Sequence, residues 1–161
     1  MLIRVANESD VDEIAAVHAS ALRNVCGQVY DAHLIDAWLA GKTRESYLRA
    51  LSEHPMFVAL CEERVIGFSR LDATTGEISA VYVRSDCLRR GVGGRLLQTL
   101  EDVALQRGLT RLSLRATLNA ISFYTASGFV LDEMSSFSVG TGASLPCARM
   151  HKPLNGGAKG G

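Results

Sequence analysis

The sequence predicts a mixed α/β fold built on one sheet, and three observations predict it. Hydrophobic periodicity is helical over the first third of the chain and changes to strand-like runs in the middle. Strand and amphipathic helix patterns then alternate toward the end. Between them lies a turn with three glycines and three arginines, residues 87–95, which follows a strand pattern and opens a helix.

"MLIRVAN" reads as a short first strand. Glu8, Ser9 and Asp10 supply helix-start chemistry. Val11, Ile14, Ala15, His18, Ala21, Leu22 and Val25 then recur on one face of a helix that Gly27 stops. "YDAHLIDAWLAGK" is a second helix, apolar at Leu34, Ile35, Trp38 and Leu39 and ended by Gly41. A third, through Tyr47, Leu48 and Leu51, ends before Pro55. "MFVALCEERVIGFSRLD" reads as two strands joined by the polar turn "EER", and "GEISAVYVRS" as the next strand. The helix after the glycine turn carries Val92, Leu96, Leu97, Leu100, Val103 and Ala104 on one face, with Gly108 beyond its last turn. "RLSLRAT" is a strand, and "NAISFYTASGF" a short helix with Asn119 as its cap and Gly128 as its stop. Strands at 130–139 and 148–151 finish the fold. No repeat or linker divides the chain, so residues 1–153 are expected to form one domain. Residues 154–161, "LNGGAKGG", are too glycine-rich to pack and are expected to be a disordered tail.

Composition narrows the function classes. Among 161 residues, 47% are hydrophobic and 21% charged, as in a soluble globular protein. Lys+Arg and Asp+Glu balance at 17 each, which lends no support to a nucleic-acid or anionic-membrane partner. Positive charge is local instead, at Arg84, Arg89, Arg90 and Arg95. No segment has the roughly 18 apolar residues of a membrane span, and the amino terminus has no apolar core of signal-peptide length. Cys26, Cys61, Cys87 and Cys147 are dispersed with no C-x-x-C pair. They read as reduced thiols of a cytoplasmic protein, and no metal site is expected.

A cationic, glycine-rich turn at a helix start suits a phosphate. Glycines allow close approach to the backbone, and the unpaired amides of the first helical turn bind the anion. Two common phosphate loops fail here. The motif G-x-x-x-x-G-K-[S/T] fails because no lysine or hydroxyl residue follows Gly94. The motif G-x-G-x-x-G fails because Gly91 and Gly93 are followed by Leu96 at its third position. What stays is a strand ending in "VYV", a linker "RSDCL", and "RRGVGG" opening the helix.

With these motifs the chain resembles the GCN5-related N-acetyltransferase (GNAT) superfamily. The family's coenzyme A loop, Q/R-x-x-G-x-G/A, maps onto Leu88-Arg89-Arg90-Gly91-Val92-Gly93. A second signature, an Asn ahead of a Phe-Tyr pair and Gly-Phe, is matched by "LNAISFYTASGF", residues 118–129. The resemblance runs over residues 3–152. It implies the GNAT fold: a central, mostly antiparallel sheet of about six to seven strands with one splayed pair, flanked by helices. It also implies acetyl-CoA as cosubstrate, bound by Val81, Val83, Leu88, Arg89, Arg90, Gly91, Val92, Gly93, Gly94 and Asn119. Leu88 departs from the Q/R position and has no side-chain hydrogen bond to offer. Backbone amides, with Arg89 or Arg90 adding charge, are expected to hold the pyrophosphate.

Making an amide from a thioester and an amine requires a neutral amine, a stabilised oxyanion and a protonated leaving thiolate. A lysine-like amine of pKa ~10.4 is almost fully protonated at pH 7, so a base or a desolvating site is needed. Glu77 starts the strand that feeds the glycine turn, eleven residues before Leu88. The resemblance places the catalytic glutamate of histone-type members there; the plainer reading is a solvated strand-edge carboxylate. It also implies that main-chain amides near Val81 and Val83 face the acetyl carbonyl, and that Tyr124 protonates the thiolate. A packing aromatic beside Phe123 is the plainer reading of Tyr124, and helix capping that of Asn119.

The resemblance puts the acceptor between the early helices and the late strands. His18 reads as a satisfied core histidine, Trp38 as core, and Cys26 and Cys147 as small hydrophobes. Tyr30 and His33 lie on a polar-rich turn able to line a pocket. The expected activity is direct transfer of an acetyl group to a primary amine of a small molecule or peptide. The alternative is a non-catalytic acyl-CoA sensor that keeps the loop without the chemistry. The apolar edge "SFSVG" offers a surface for a homodimer.

Overall fold

A computed structural model describes residues 1–140 and 142–155; the expected tail lies, from residue 156 on, outside the described residues. Among the described residues seven strands form one sheet in the order β1-β2-β3-β4-β5-β7-β6. β1 (Leu2–Val5), β2 (Met56–Cys61), β3 (Arg64–Asp72) and β4 (Glu77–Val83) pair antiparallel in turn. β7 (Ala143–Pro153) lies antiparallel between β5 (Arg111–Ala116) and β6 (Val130–Val139). Among the described residues the one parallel pair is β4 with β5.

Strand alternation sends neighbouring residues to opposite layers. On β2, Val58 faces α1 (Val11–Asn24) and α3 (Arg44–Glu53), whereas Ala59 joins the layer of α4 (Val92–Gln106). α2 (Ala32–Ala40) packs through Ile35 and Trp38 against Val139 and Leu145 of β6 and β7, and α5 (Ile121–Ala126) sets Tyr124 into the core beside α4. Two local devices fix these helices. Asp10, buried before α1, accepts two hydrogen bonds from Arg4 at 2.8 and 2.9 Å and one from the Asn7 amide at 2.8 Å, tying β1 to the helix start. Gly67 on β3 lets α4 lie close, since a Cβ there would stand 2.9 Å from Leu96 Cδ1 and 3.1 Å from Val92 Cγ1.

The β2–β3 turn is where "EER" predicts it, with Glu62 and Glu63 both in the left-handed region at φ 52° and 66°. The last strand is longer than the expected 148–151 and runs Ala143–Pro153. Pro146 hides its first half in the sequence. Its carbonyl accepts from the Tyr30 hydroxyl at 2.6 Å, so the side of β7 that lacks an N–H at Pro146 faces away from β6 and breaks no ladder bond there. β6 is an edge strand, and its exposed apolar residues are Val130, Leu131 and Met134. Phe137 and Val139, within the expected "SFSVG" edge, instead pack toward α2. Among the described residues no helix is long and apolar enough to cross a membrane.

The feature that positions the site is a splay between β4 and β5. They pair only at Glu77↔Ser113 and Ile78↔Leu114. Opposite β3, Arg70 pairs with Ala80 and Leu71 with Ile78, so Ser79 is an extra residue on β4. A bulge of this kind bends its strand, and β4 leaves β5 directly beyond it.

Candidate active site

On the α4 side the splay opens into a cavity of about 470 Å³. Of the ten residues expected to bind coenzyme A, nine line this cavity: Val81, Val83, Leu88, Arg89, Gly91, Val92, Gly93, Gly94 and Asn119; Tyr124 lines it too, whereas Arg90 is exposed and lies outside its walls. Arg89 and Gly91 are both left-handed, at φ 63° and 79°, which curls the turn before α4. Gly91 is the N-cap of α4 and no side chain caps the helix, so its first-turn amides are available to an anion. An added Cβ at Gly91 or Gly94 would meet nothing within 4 Å, which leaves the approach to those amides open. At Gly93 it would stand 3.4 Å from the Phe123 ring.

Two further observations test whether the cavity suits a pantetheine-like arm. The amide of Arg84 donates to Ile66 on β3 at 2.8 Å. Alternation along β4 therefore turns the amides of Val83 and Val81 the other way, into the gap that β5 has left. Asn119 is not the expected helix cap: it sits inside the 3-10 turn Leu118–Ala120 ahead of α5, with no capping bond from its side chain. Its Oδ1 is instead buried without a partner, and its residue lines the cavity. A buried acceptor of this kind calls for a donor from outside the chain. The residues present fit a thioester cosubstrate with amide and pyrophosphate groups.

Tyr124 is buried, held edge-on by Phe123 (centroids 5.0 Å apart) and Phe129 (5.4 Å). Burial pushes its phenol well above the ordinary tyrosine value, so the hydroxyl stays protonated. It is a packed aromatic and a cavity wall at once.

Glu77 does not join Tyr124. It lines a second cavity of about 380 Å³ on the other side of the splay, with Lys42, Ser79, Arg115 and Phe137. Its carboxylate is half-exposed, 3.9 Å from the Arg115 guanidinium. Tyr82 and Thr117 stand in the walls of both cavities and mark where the two meet.

His18 corrects an expectation. It is 5% exposed, and its Nδ1 lies 2.8 Å from the Tyr47 hydroxyl, but its Nε2 is buried with no partner. Burial, with the Lys42 charge nearby, drives its pKa down to about 3. Tyr30 is structural: buried, it donates to Pro146 and accepts from the Leu118 amide at 3.0 Å. His33 is exposed. Cys26 and Cys147 are buried, and burial pushes both thiols up, as for small core residues. Tyr82, Thr117, Lys42 and Arg115 were not singled out by the sequence. The one local signal was Thr117, directly after the strand "RLSLRA" at the carboxyl end of β5.

The profile of the acetyltransferase (GNAT) family matches residues 24–129, more than half of the chain. No curated protein matches it in sequence. A solved GCN5-related N-acetyltransferase from Rhodopseudomonas palustris, described as an aminotransferase, class-II, is 26% identical, with a TM-score of 0.90 over 95% of each chain. The PaiA N-acetyltransferase of Thermoplasma acidophilum, solved with coenzyme A, has a TM-score of 0.80 at 19% identity, over 95% of this chain and 99% of that one. A phosphinothricin acetyltransferase of Sinorhizobium meliloti, solved with acetyl-CoA, has a TM-score of 0.74 at 22% identity, over 98% of this chain and 90% of that one. The mostly antiparallel sheet with its splayed parallel pair, these likenesses and the matched profile agree, and the chain belongs to the acetyltransferase (GNAT) family.

Proposed function

We propose that the chain transfers the acetyl group of acetyl-CoA to a primary amine of a small molecule or peptide by direct attack. The observation that carries this reading is the meeting of two cavities at the β4–β5 splay, one suited to each substrate. Acetyl-CoA, when bound, supplies an activated acyl carbon and a leaving thiol. The turn at Arg89–Gly94 holds the pyrophosphate on the free amides of α4, and Arg89, on the cavity wall, adds the charge that Leu88 lacks. Asn119 Oδ1 accepts a hydrogen bond from the arm. The amides of Val81 and Val83 donate to the acyl oxygen as negative charge grows there, a contribution typically worth about 3 kcal/mol per donor.

Tyr124 gives the departing sulfur its proton. Burial raises the phenol's pKa, but the same desolvation raises that of the thiol, so the transfer is less uphill than the tyrosine alone suggests. From the opposite cavity Glu77 receives the proton of the incoming ammonium, through a water where the reach is long. Acetyl-CoA turnover across an amine library, read by thiol release and by product mass, tests the proposal. Amine-dependent release with an N-acetyl product is expected. Tight coenzyme A binding with no transfer to any amine would leave the non-catalytic sensor as the reading.

A further inference from the structure

The acceptor-side cavity departs from the charge balance of the whole chain. Its walls hold two cations, Lys42 and Arg115, and one carboxylate, Glu77. Lys42, just after α2, also borders a smaller cavity of about 170 Å³ that reaches His18. The two cavities share Trp38, Lys42, Ser79 and Tyr82, so Lys42 stands where they adjoin.

The cations around this space differ in what already engages them. Arg70, in the smaller cavity, bonds the Ala50 carbonyl at 3.1 Å and lies 3.4 Å from both Glu53 and the Ser79 hydroxyl. Arg115 rests over the Phe137 ring at 5.7 Å and reaches Glu77 only at 3.9 Å, longer than a hydrogen bond. Lys42 has no carboxylate within 4.0 Å among the described residues. It keeps an open face to solvent, yet desolvation and the neighbouring Arg70 charge lower its pKa. A cation crowded by another cation, at the edge of an aromatic-walled cavity, is stabilised by an anion arriving from outside. At the inner end, His18 Nε2 is a further buried polar atom without a partner.

We propose that the acceptor amine also carries a carboxylate or an equivalent anion, bound by Lys42 and Arg115, so that the substrate is amino-acid-like with an apolar or aromatic body. The inference rests on the amine-acetylation reading above. The wall then offers both signs a zwitterion needs: two cations for the acid group and Glu77 for the ammonium group. Trp38 and Phe137, packed edge-on with centroids 5.0 Å apart, supply the apolar surface between them.

The test is a panel of matched pairs, each an amine and its carboxylated counterpart, with phenylalanine against phenethylamine among them. For the chain as it stands, kcat/KM favours the carboxylated members about tenfold or more, the usual size of a charge-assisted contact. Lys42→Met lowers that ratio by about tenfold, and Lys42→Arg keeps most of it. A ratio near one across the panel, or a ratio that Lys42→Met leaves unmoved, overturns the inference while transfer itself stands. If no amine of either kind is acetylated, the transferase reading falls. Calorimetry of the same pairs on coenzyme-A-loaded protein then decides the anion preference separately. Weaker binding of the carboxylated members to Lys42→Met supports the anion site, and equal binding overturns it.

Discussion

Tyr124 and Glu77 stand on opposite sides of the β4–β5 gap, and their variants should therefore fail in different ways. Tyr124→Phe removes one hydroxyl and leaves the edge-on packing against Phe123 and Phe129. Coenzyme A binding should persist while the chemical step falls by about 100-fold or more, the usual worth of a positioned acid. Wild-type turnover in that variant would mean that water protonates the sulfur. Glu77→Gln should slow the reaction most at low pH, where the acceptor is most protonated, with the deficit shrinking toward the amine's own pKa. An equal deficit at every pH would make Glu77 a positioning residue; paired pH–rate profiles on one acceptor distinguish the two. At this scale the motif pair led to Asn119 and Tyr124. Of the two roles that match implies for Asn119, capping is the one the 3-10 turn does not use. Lys42 and Arg115 carried no signal, since what makes them notable is a cavity assembled from segments far apart in sequence.

Among the elements, the glycine turn and α4 were the most legible. A helical face of five buried residues, from Val92 to Ala104, and a glycine before it need no tertiary information. β7 is less legible, because Pro146 resembles a strand breaker in the sequence and only the fold shows Tyr30 taking its carbonyl. Two glycines of the turn, Gly91 and Gly93, do different jobs. Gly91 is needed for its φ of 79°, so Gly91→Ala should strain the turn by roughly 1 kcal/mol and weaken coenzyme A binding without any clash. At Gly93 an added Cβ would only touch Phe123, at 3.4 Å, but the two branches of Gly93→Val extend beyond it and should obstruct the approach to the α4 amides. Coenzyme A affinity should be lost with the far-ultraviolet spectrum and cooperative melting kept. A folded Gly93→Val chain with unchanged affinity would place the pyrophosphate elsewhere.

Across the whole molecule, the arrangement of layers was the least legible from periodicity. β7 enters between β5 and β6, and the single parallel pair joins strands on either side of α4; only the family resemblance anticipated that splay. The layers meet at His18, whose ring on α1 is surrounded by Trp38 of α2, Tyr47 of α3, Phe68 of β3 and Tyr82 of β4, with centroids 4.5–6.1 Å away. A charge there would disturb four elements at once, and this gives the fold an acid sensitivity of its own. Folding lowers the histidine pKa from 6.5 to about 3. Below pH 6.5 the unfolded chain therefore takes up a proton that the folded chain refuses. The stability His18 contributes is complete above that pH and is lost as pH falls toward 3, by roughly 5 kcal/mol at most. Buried carboxylates such as Asp10, held down by Arg4, lose their contribution only at lower pH, so the loss that His18 causes falls in the interval from 6.5 to about 4. His18→Phe should be less stable at pH 7, having lost the Tyr47 bond, yet its unfolding free energy should fall less steeply than the wild type's across that interval. Parallel declines in urea titrations at pH 6.5, 5.5 and 4.5 would show that His18 accepts its proton in the folded state, and that the space beside its Nε2 is wet.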